Sequence, residues 1–221
     1  MALTGLFLIS FLVVHVGINA CVFADILDDS DNGEIFNKAA HFMGAYYVIR
    51  ILEVGLFIGF FIHIYQGFAL EIKNRSRRKV GYHVSMGSQG SRWYRKSMGL
   101  LGTLLFLFLI MHVSHFWVPS RVTHTLEEVS YNNGVTTLHN LYARMIETFS
   151  NPLIVLLYVL GCISLAWHLL HGFQSAFRTI GVHNKKWIAV AKATGTAFAI
   201  IVPLLFALMP ISMYLGWVNM N

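Results

Sequence analysis

The sequence contains little charge. Of its 221 residues, only 12% are Asp, Glu, Lys or Arg, whereas 56% are hydrophobic. Soluble domains carry about twice that share of charged residues. The composition therefore excludes a single water-soluble domain and indicates a protein whose solvent is mostly lipid.

Cysteine and nucleotide-binding motifs are also scarce. The two cysteines, Cys21 and Cys162, form no CxxC or CxxCH motif, which excludes a disulfide framework, an iron–sulfur cluster and a c-type haem. No GxGxxG, GxxxxGK or HExxH pattern marks a nucleotide or zinc site. Chemistry that needs flavin or iron–sulfur must therefore come from partner subunits.

Long apolar runs make up most of what is present. A helix needs about 20 apolar residues to cross a bilayer. Five stretches reach this length, at residues 2–23, 42–70, 97–118, 152–176 and 187–217, and the loops between them are too short for a separate domain. We expect one all-α domain, an integral membrane bundle of five transmembrane helices, with Pro203 and Pro210 kinking the last helix.

The charged residues predict the orientation of the bundle. Basic residues concentrate between the second and third spans and between the fourth and fifth, and the positive-inside rule makes these loops cytoplasmic. The other two loops are mainly acidic, so we expect the N-terminus inside and the C-terminus outside. The net charge of +6 thus follows topology, and no nucleic-acid partner is expected.

Residues 1–24 could alternatively be a signal peptide, because INAC, which ends at Cys21, resembles a lipoprotein cleavage site. However, no basic segment precedes the apolar run, and the repeat described below makes this span part of the bundle. The near absence of a polar leader is consistent with a few further native residues before Met1.

Histidine is unexpectedly common for so apolar a chain. Of eleven histidines, five fall well within the predicted spans, and His115 lies near the end of one. An ionisable side chain inside a membrane is by default a functional candidate, although a single neutral imidazole more simply bonds a neighbouring helix. The five are His15, His63, His112, His168 and His171.

Two repeated patterns single out four of these histidines. GLFLISFLVVHV, ending at Val16, and GTLLFLFLIMHV, ending at Val113, share a glycine, nine intervening residues and then His-Val. HIYQGF, starting at His63, and HLLHGF, starting at His168, share a histidine followed four residues later by Gly-Phe. The sequence therefore predicts an internal duplication of a helix pair, followed by a fifth helix.

The alternating direction of the spans places the four histidines at two depths. At 1.5 Å per residue, His15 and His112 lie about 5 to 7 Å outside the midplane, and His63 and His168 about 6 to 10 Å inside it. Each level supplies the two imidazoles that a bis-histidine b-type haem requires. We therefore expect two stacked haems.

Other residues lie close to these four ligands. Gly67 and Gly172 are one turn from the inner histidines, where the lack of a side chain suits either a flat macrocycle or close helix packing. His115 and His171 fall outside the repeats. They are expected to donate hydrogen bonds to propionates, quinone or neighbouring helices.

These motifs resemble the membrane anchor subunits of two-haem succinate dehydrogenases and fumarate reductases, especially the single-polypeptide, five-helix type. The resemblance covers nearly the whole chain. It is carried by TGLFLISFLVVHV at residues 4–16, HIYQGF at 63–68, SMGLLGTLLFLFLIMHVSHFW at 97–117 and HLLHGFQSAFRTIG at 168–181.

The resemblance implies a subunit that transfers electrons. Its ligands are those reached from the repeats, with His15 and His112 for the outer haem and His63 and His168 for the inner one. A flavoprotein subunit and an iron–sulfur subunit would dock on the cytoplasmic face of a bacterial inner membrane. Electrons would pass to or from a membrane quinone, menaquinone rather than ubiquinone, and the anchor would perform no dicarboxylate chemistry itself.

Polar residues near the ends of the spans are candidates for binding quinone or propionates. Arg50 and Glu53 lie one turn apart on one helical face, which is also typical of a mutual ion pair. Arg50 is equally a candidate for an outer-haem propionate, and Glu53 or His115 for proton exchange. Trp93 and Arg95 are candidates for inner-haem propionates, beside roles in topology, lipid contact or partner docking.

The sequence leaves two other functions open. A cytochrome b subunit of a formate dehydrogenase or hydrogenase also holds bis-histidine haems in a small bundle, although the motif runs argue against it. A transporter that uses membrane histidines as ion ligands would show no haem absorbance.

Overall fold

The computed structural model describes residues 1–28, 30–77, 97–131 and 134–218. Within these ranges, five helices are long and apolar enough to cross a membrane. The predicted all-α, five-helix membrane bundle is therefore confirmed, and the chain is a multi-pass membrane protein. The spans are Ala2–Leu27, Tyr47–Arg77, Met98–Arg121, Pro152–Thr179 and Lys185–Tyr214.

The first two spans are connected by a short helix of their own. The first span comprises α1 (Ala2–Ala20), a 3₁₀ turn (Cys21–Phe23) and α2 (Ala24–Leu27). It is followed by α3 (Glu34–Ala45) and the second span, α4 (Tyr47–Arg77). The second span begins at Tyr47 rather than at the expected residue 42, because the backbone of Tyr46 is extended (φ −86°, ψ 128°) and ends α3.

The third span changes its helical form near its end. It consists of α5 (Met98–His112), a π-helical turn (Val113–Trp117) and α6 (Val118–Arg121). The loop beyond it contains an antiparallel hairpin of β1 (Glu128–Tyr131) and β2 (Thr136–His139), then α7 (Leu141–Phe149).

The last two spans are single long helices, α8 (Pro152–Thr179) and α9 (Lys185–Tyr214). The predicted proline positions, Pro203 and Pro210, both lie within α9, which is continuous across them, and both are buried. Proline has no amide hydrogen, so it leaves one carbonyl of the preceding turn without its helical hydrogen bond. A membrane helix tolerates this where neighbouring helices or local backbone adjustments satisfy the carbonyl.

Small residues bring the spans together around α8. The ring of Phe108 on α5 fills the space where Gly161 has no side chain, because a Cβ there would lie 2.5 Å from Phe108 Cδ2. Ser164 on α8 donates a hydrogen bond to the carbonyl of Leu101 at 3.2 Å. Such contacts are typical of membrane bundles, where lipid supplies no hydrophobic force between helices.

The side chains on the outside of the bundle are apolar. On α4, for example, Ile51, Ile58, Phe61 and Tyr65 are all more than half exposed. Soluble monomers rarely expose contiguous apolar surface on this scale. The surface therefore matches a lipid environment around the helices.

A polar network closes one end of the bundle and defines a cap formed by α2, α3, the hairpin and α7. The fully buried Asn37 donates to the Tyr131 hydroxyl at 2.8 Å and to Asn140 Oδ1 at 3.0 Å, and its own Oδ1 accepts the backbone N–H of Tyr142 at 3.0 Å. The Tyr142 hydroxyl in turn donates to Asp25. The two loops at this end thus fold into one structure.

Replacing the central residue of this network should weaken the cap. Asn37→Ala removes three hydrogen bonds from this buried network, so we expect it to lower the free energy of unfolding by about 2 to 4 kcal/mol. Thermal unfolding in detergent measures the change. Lys38→Ala is the matched control, because Lys38 is half exposed in its 2.5 Å ion pair with Glu34, and a pair near the surface is worth at most about 1 kcal/mol. Equal melting temperatures for the two variants would contradict the proposed role of Asn37.

Candidate functional site: two facing histidine pairs

The first histidine pair lies between α1 and α5, near the end of the bundle that carries the cap. The imidazole rings of His15 and His112 have centroids 5.7 Å apart and are nearly perpendicular, at 87°. Phe11 stacks on His15 (5.0 Å, 20°), and Phe108 stacks on His112 (5.8 Å, 21°). Each histidine therefore has a phenylalanine four residues earlier on its own helix, which restricts the orientation of the ring.

The second pair lies between α4 and α8. The rings of His63 and His168 have centroids 6.3 Å apart and an interplanar angle of 69°. Thr4 of α1 contacts this pair, with its Oγ1 3.1 Å from His63 Nδ1. The structure thus brings together the four sequence-predicted ligands as the two pairs that the repeats indicate.

Helix α1 gives the separation between the two pairs. Thr4 is level with His63, whereas His15, eleven residues later on the same helix, belongs to the other pair. At 1.5 Å per residue, the two levels are about 16 Å apart along the helix axis. Two distinct sites therefore lie one above the other within the apolar bundle.

Each pair contains one buried ring nitrogen without a protein partner. In the described part of the chain, His112 Nδ1 and His168 Nδ1 are buried and have no hydrogen-bond partner. The opposite rings are contacted at Nδ1, His15 by Asn19 at 3.3 Å and His63 by Thr4. An unpaired polar atom is costly away from water, so the protein packing around each pair leaves one ring nitrogen unsatisfied.

A second polar cluster lies where α4 and the end of the third span meet. The Glu53 carboxylate bonds Arg50 at 3.2 Å, accepts a hydrogen bond from the Trp117 indole, and has Arg121 Nε at 3.9 Å. The Arg121 guanidinium passes over Gly44, where a Cβ would lie 2.6 Å from Arg121 Nη2. The expected Arg50–Glu53 ion pair is present, and one carboxylate faces two guanidinium groups.

The π-helical turn directs side chains to both sides of the third span. Trp117 reaches Glu53 on α4, whereas His115 Nδ1 lies 3.1 Å from the Tyr158 hydroxyl of α8, with the two rings stacked at 5.9 Å. Arg144 Nε donates to the His115 carbonyl at 3.2 Å. His115 therefore bonds a neighbouring helix, and π-helical turns are frequent at functional sites.

The remaining predicted residues are less informative. His171 borders an open groove of about 290 Å³ with Gln174, Ser175 and Arg178. A Cβ on Gly172 would meet nothing within 4 Å, whereas one on Gly67 would touch the end of the Met1 side chain at 3.4 Å. Close packing therefore does not explain the glycine at position 172. Trp93 and Arg95 lie outside the described residues.

Some site residues were not found from the sequence. Phe11 and Phe108 occupy equivalent positions in the repeated GLFLISFLVVHV and GTLLFLFLIMHV segments, so comparing the repeats in full would have found them. Trp117 and Arg121 reach Glu53 from another span, and helical periodicity within one span does not indicate such a contact.

The contact between Phe108 and Gly161 leads to a prediction about how the His15–His112 pair is held in place. Gly161→Ala places a Cβ against the ring that stacks on His112, so we expect a loss of about 1 to 3 kcal/mol in stability. The measurement is thermal unfolding followed by circular dichroism. Gly55→Ala on α4 is the control, because its Cβ meets nothing within 4 Å; a similar loss in both variants would show that the contact is unimportant.

Comparison with protein-family models, curated proteins and solved structures found no match to this chain. The functional argument therefore rests on the two histidine pairs, the glutamate cluster and the sequence motifs.

Proposed function

We propose that the chain is the dihaem cytochrome b anchor subunit of a succinate:quinone oxidoreductase, that is, of a succinate dehydrogenase or fumarate reductase. The observation that carries the proposal is the arrangement of His15 with His112 and of His63 with His168, at two levels inside a five-helix bundle. The resemblance of the sequence motifs that contain these histidines is the reason for proposing this particular family.

The dimensions of both pairs fit a metal bound between two imidazoles. A metal–imidazole bond is about 2 Å long, and with ring centroids 5.7 and 6.3 Å apart, His15 with His112 and His63 with His168 could each hold one metal between them. Among the described residues, no group of three or more His, Cys, Asp or Glu side chains could hold a metal ion. A porphyrin would supply four further ligands to a metal held at either pair.

In this proposal the chain provides ligands, orientation and an apolar environment. Haem b supplies reversible one-electron chemistry at iron, and two histidine ligands leave no open position for oxygen. Phe11 and Phe108 hold the rings of His15 and His112, and Phe206 covers His15 at 5.4 Å. These aromatic contacts restrict access of water to the outer pair.

The proposed partners bind at the end of the bundle opposite the cap. The described basic residues Lys73, Arg75 and Arg77 end α4, and Lys185 and Lys186 begin α9. By the positive-inside rule this end is cytoplasmic, as expected for docking a flavoprotein and an iron–sulfur subunit in a bacterial inner membrane. The N-terminus would then be cytoplasmic and the cap would face outside.

Haem stoichiometry tests the proposed ligands. We expect two haems per wild-type chain, and one after either His112→Ala or His168→Ala, because each variant removes one ligand of one pair. Pyridine haemochrome assay and reduced-minus-oxidised spectra measure the content. His139→Ala, an exposed histidine of β2, is the matched control and should retain both haems.

The outcomes separate the proposal from its alternatives. Colourless wild-type protein would reject haem and favour a histidine-lined transporter. Haem reduced by formate or hydrogen, but not by succinate with the co-purified subunits, would assign a different oxidoreductase.

The Glu53 cluster is the proposed quinone site, with menaquinone as the favoured quinone. Quinone reduction consumes protons, and Glu53 is a proton carrier held by Arg50, Arg121 and Trp117. The indole N–H and the guanidinium groups are also donors for a quinone carbonyl. The cluster adjoins the third span five residues beyond His112, close to the outer pair.

Removing the proton-carrying group should slow quinone turnover and leave haem in place. We expect Glu53→Gln to lower quinone-linked activity about 100-fold, the scale of general acid–base catalysis, with unchanged haem content. Glu147→Gln is the control, because Glu147 forms a similar Arg–Glu pair with Arg144 at 2.7 Å but is 70% exposed. Wild-type turnover in Glu53→Gln would exclude Glu53 as the proton carrier.

A further inference from the structure

Thr4 connects α1 to the inner histidine pair through its hydroxyl. Thr4 Oγ1 lies 3.0 Å from the carbonyl oxygen of Met1, 3.1 Å from His63 Nδ1 and 3.5 Å from Gln66 Oε1. His168 Nδ1 has no partner among the described residues. Among the described residues, the contact between Thr4 and His63 is therefore the only hydrogen bond to an Nδ1 atom of the His63–His168 pair.

The single hydrogen of the hydroxyl decides the direction of this bond. A threonine hydroxyl has one hydrogen to donate and two lone pairs to accept with. The Met1 carbonyl can only accept, and it lies at the shorter distance, so it takes the hydroxyl hydrogen. His63 must then donate its Nδ1–H to Thr4 Oγ1, which leaves Nε2 unprotonated.

We propose that Thr4 is a positioning residue that holds His63 in the Nδ1–H tautomer and so prepares Nε2 as a metal ligand. The inference rests on the proposed haem function and adds a residue from a third helix to the inner site. An acceptor for the second ring N–H also raises the basicity of a ligating imidazole. Loss of the hydroxyl should therefore weaken the preference of the inner site for ferric iron.

Helix α1 provides a matched control for this role. Ser10 donates to the Phe7 carbonyl three residues earlier at 2.7 Å, as Thr4 donates to Met1. Among the described residues this is the one hydrogen bond of the Ser10 side chain, and the residue is exposed. Ser10→Ala thus removes the same type of backbone bond without touching a histidine.

The test compares Thr4→Val, Thr4→Ser and Ser10→Ala in the complete complex by redox titration and electron paramagnetic resonance. For Thr4→Val, we expect about a tenfold weaker ferric preference at one haem, which raises its midpoint potential by about 59 mV. The other haem should be unchanged and serves as the internal check on folding. Thr4→Ser keeps the hydroxyl, so it and Ser10→Ala should match the wild type.

The haem that responds is identified with His168→Ala, which removes the inner haem. Selective loss of that haem in Thr4→Val, with Thr4→Ser intact, would also support the inference. Unchanged potentials in Thr4→Val, a shift at both haems, or an equal shift in Ser10→Ala would overturn it. Wild-type protein without haem would instead overturn the proposed function as well, and that result is visible before any variant is compared.

Discussion

The contact between histidines on different spans is the constraint on which the rest of the arrangement depends. An imidazole in an apolar bundle has to find a partner, because hydrocarbon offers none. Here His15 faces His112 and His63 faces His168, yet His112 and His168 each keep a buried Nδ1 without a bond within the described chain. Pairing alone therefore does not satisfy these rings, and the case for a bound group rests on how the two rings of each pair face each other.

The surrounding elements fit around this constraint. Helix α1 contributes His15 to one pair and Thr4 to the other, so a single span fixes the spacing of both levels. Gly161 lets α8 approach α5 closely enough for Phe108 to lie between them and stack on His112. At the capped end, Asn37 joins the loops that follow the first and third spans. Part of the support for the sites thus comes from helices that carry no ligand of the same pair.

The parts predictable from sequence were those with strong local signals. The fourth span begins at Pro152 as predicted, because Asn151 Oδ1 accepts a 2.9 Å hydrogen bond from the Leu153 amide and proline suits the first helical turn. The pairing of His15 with His112 and of His63 with His168 could likewise be predicted from the repeats. The start of the second span was misplaced at residue 42, since apolar residues continue through α3 and only the extended backbone at Tyr46 separates the helices.

Contacts that depend on distant parts of the chain were not predictable in the same way. Arg50 and Glu53 are three residues apart, so their ion pair could be expected from helical geometry. Arg121 and Trp117 join Glu53 from another span, and no local pattern in the sequence indicates this. The cap network likewise joins Asn37 to residues about a hundred positions later, where only the folded loops bring the partners together.

The π-helical turn links the two proposed activities of the outer half. A regular helix presents residues two apart on different faces, and the turn from Val113 to Trp117 follows directly after His112. Through this turn His115 meets Tyr158 while Trp117 meets Glu53. The same short segment therefore joins a proposed haem ligand to the proposed proton carrier. A change at Glu53 can reach His112 through the hydrogen bond to Trp117 and along the third span, in which Trp117 lies five residues beyond His112. The proposed quinone site and the outer histidine pair are thus joined by one contact between spans and one short stretch of helix.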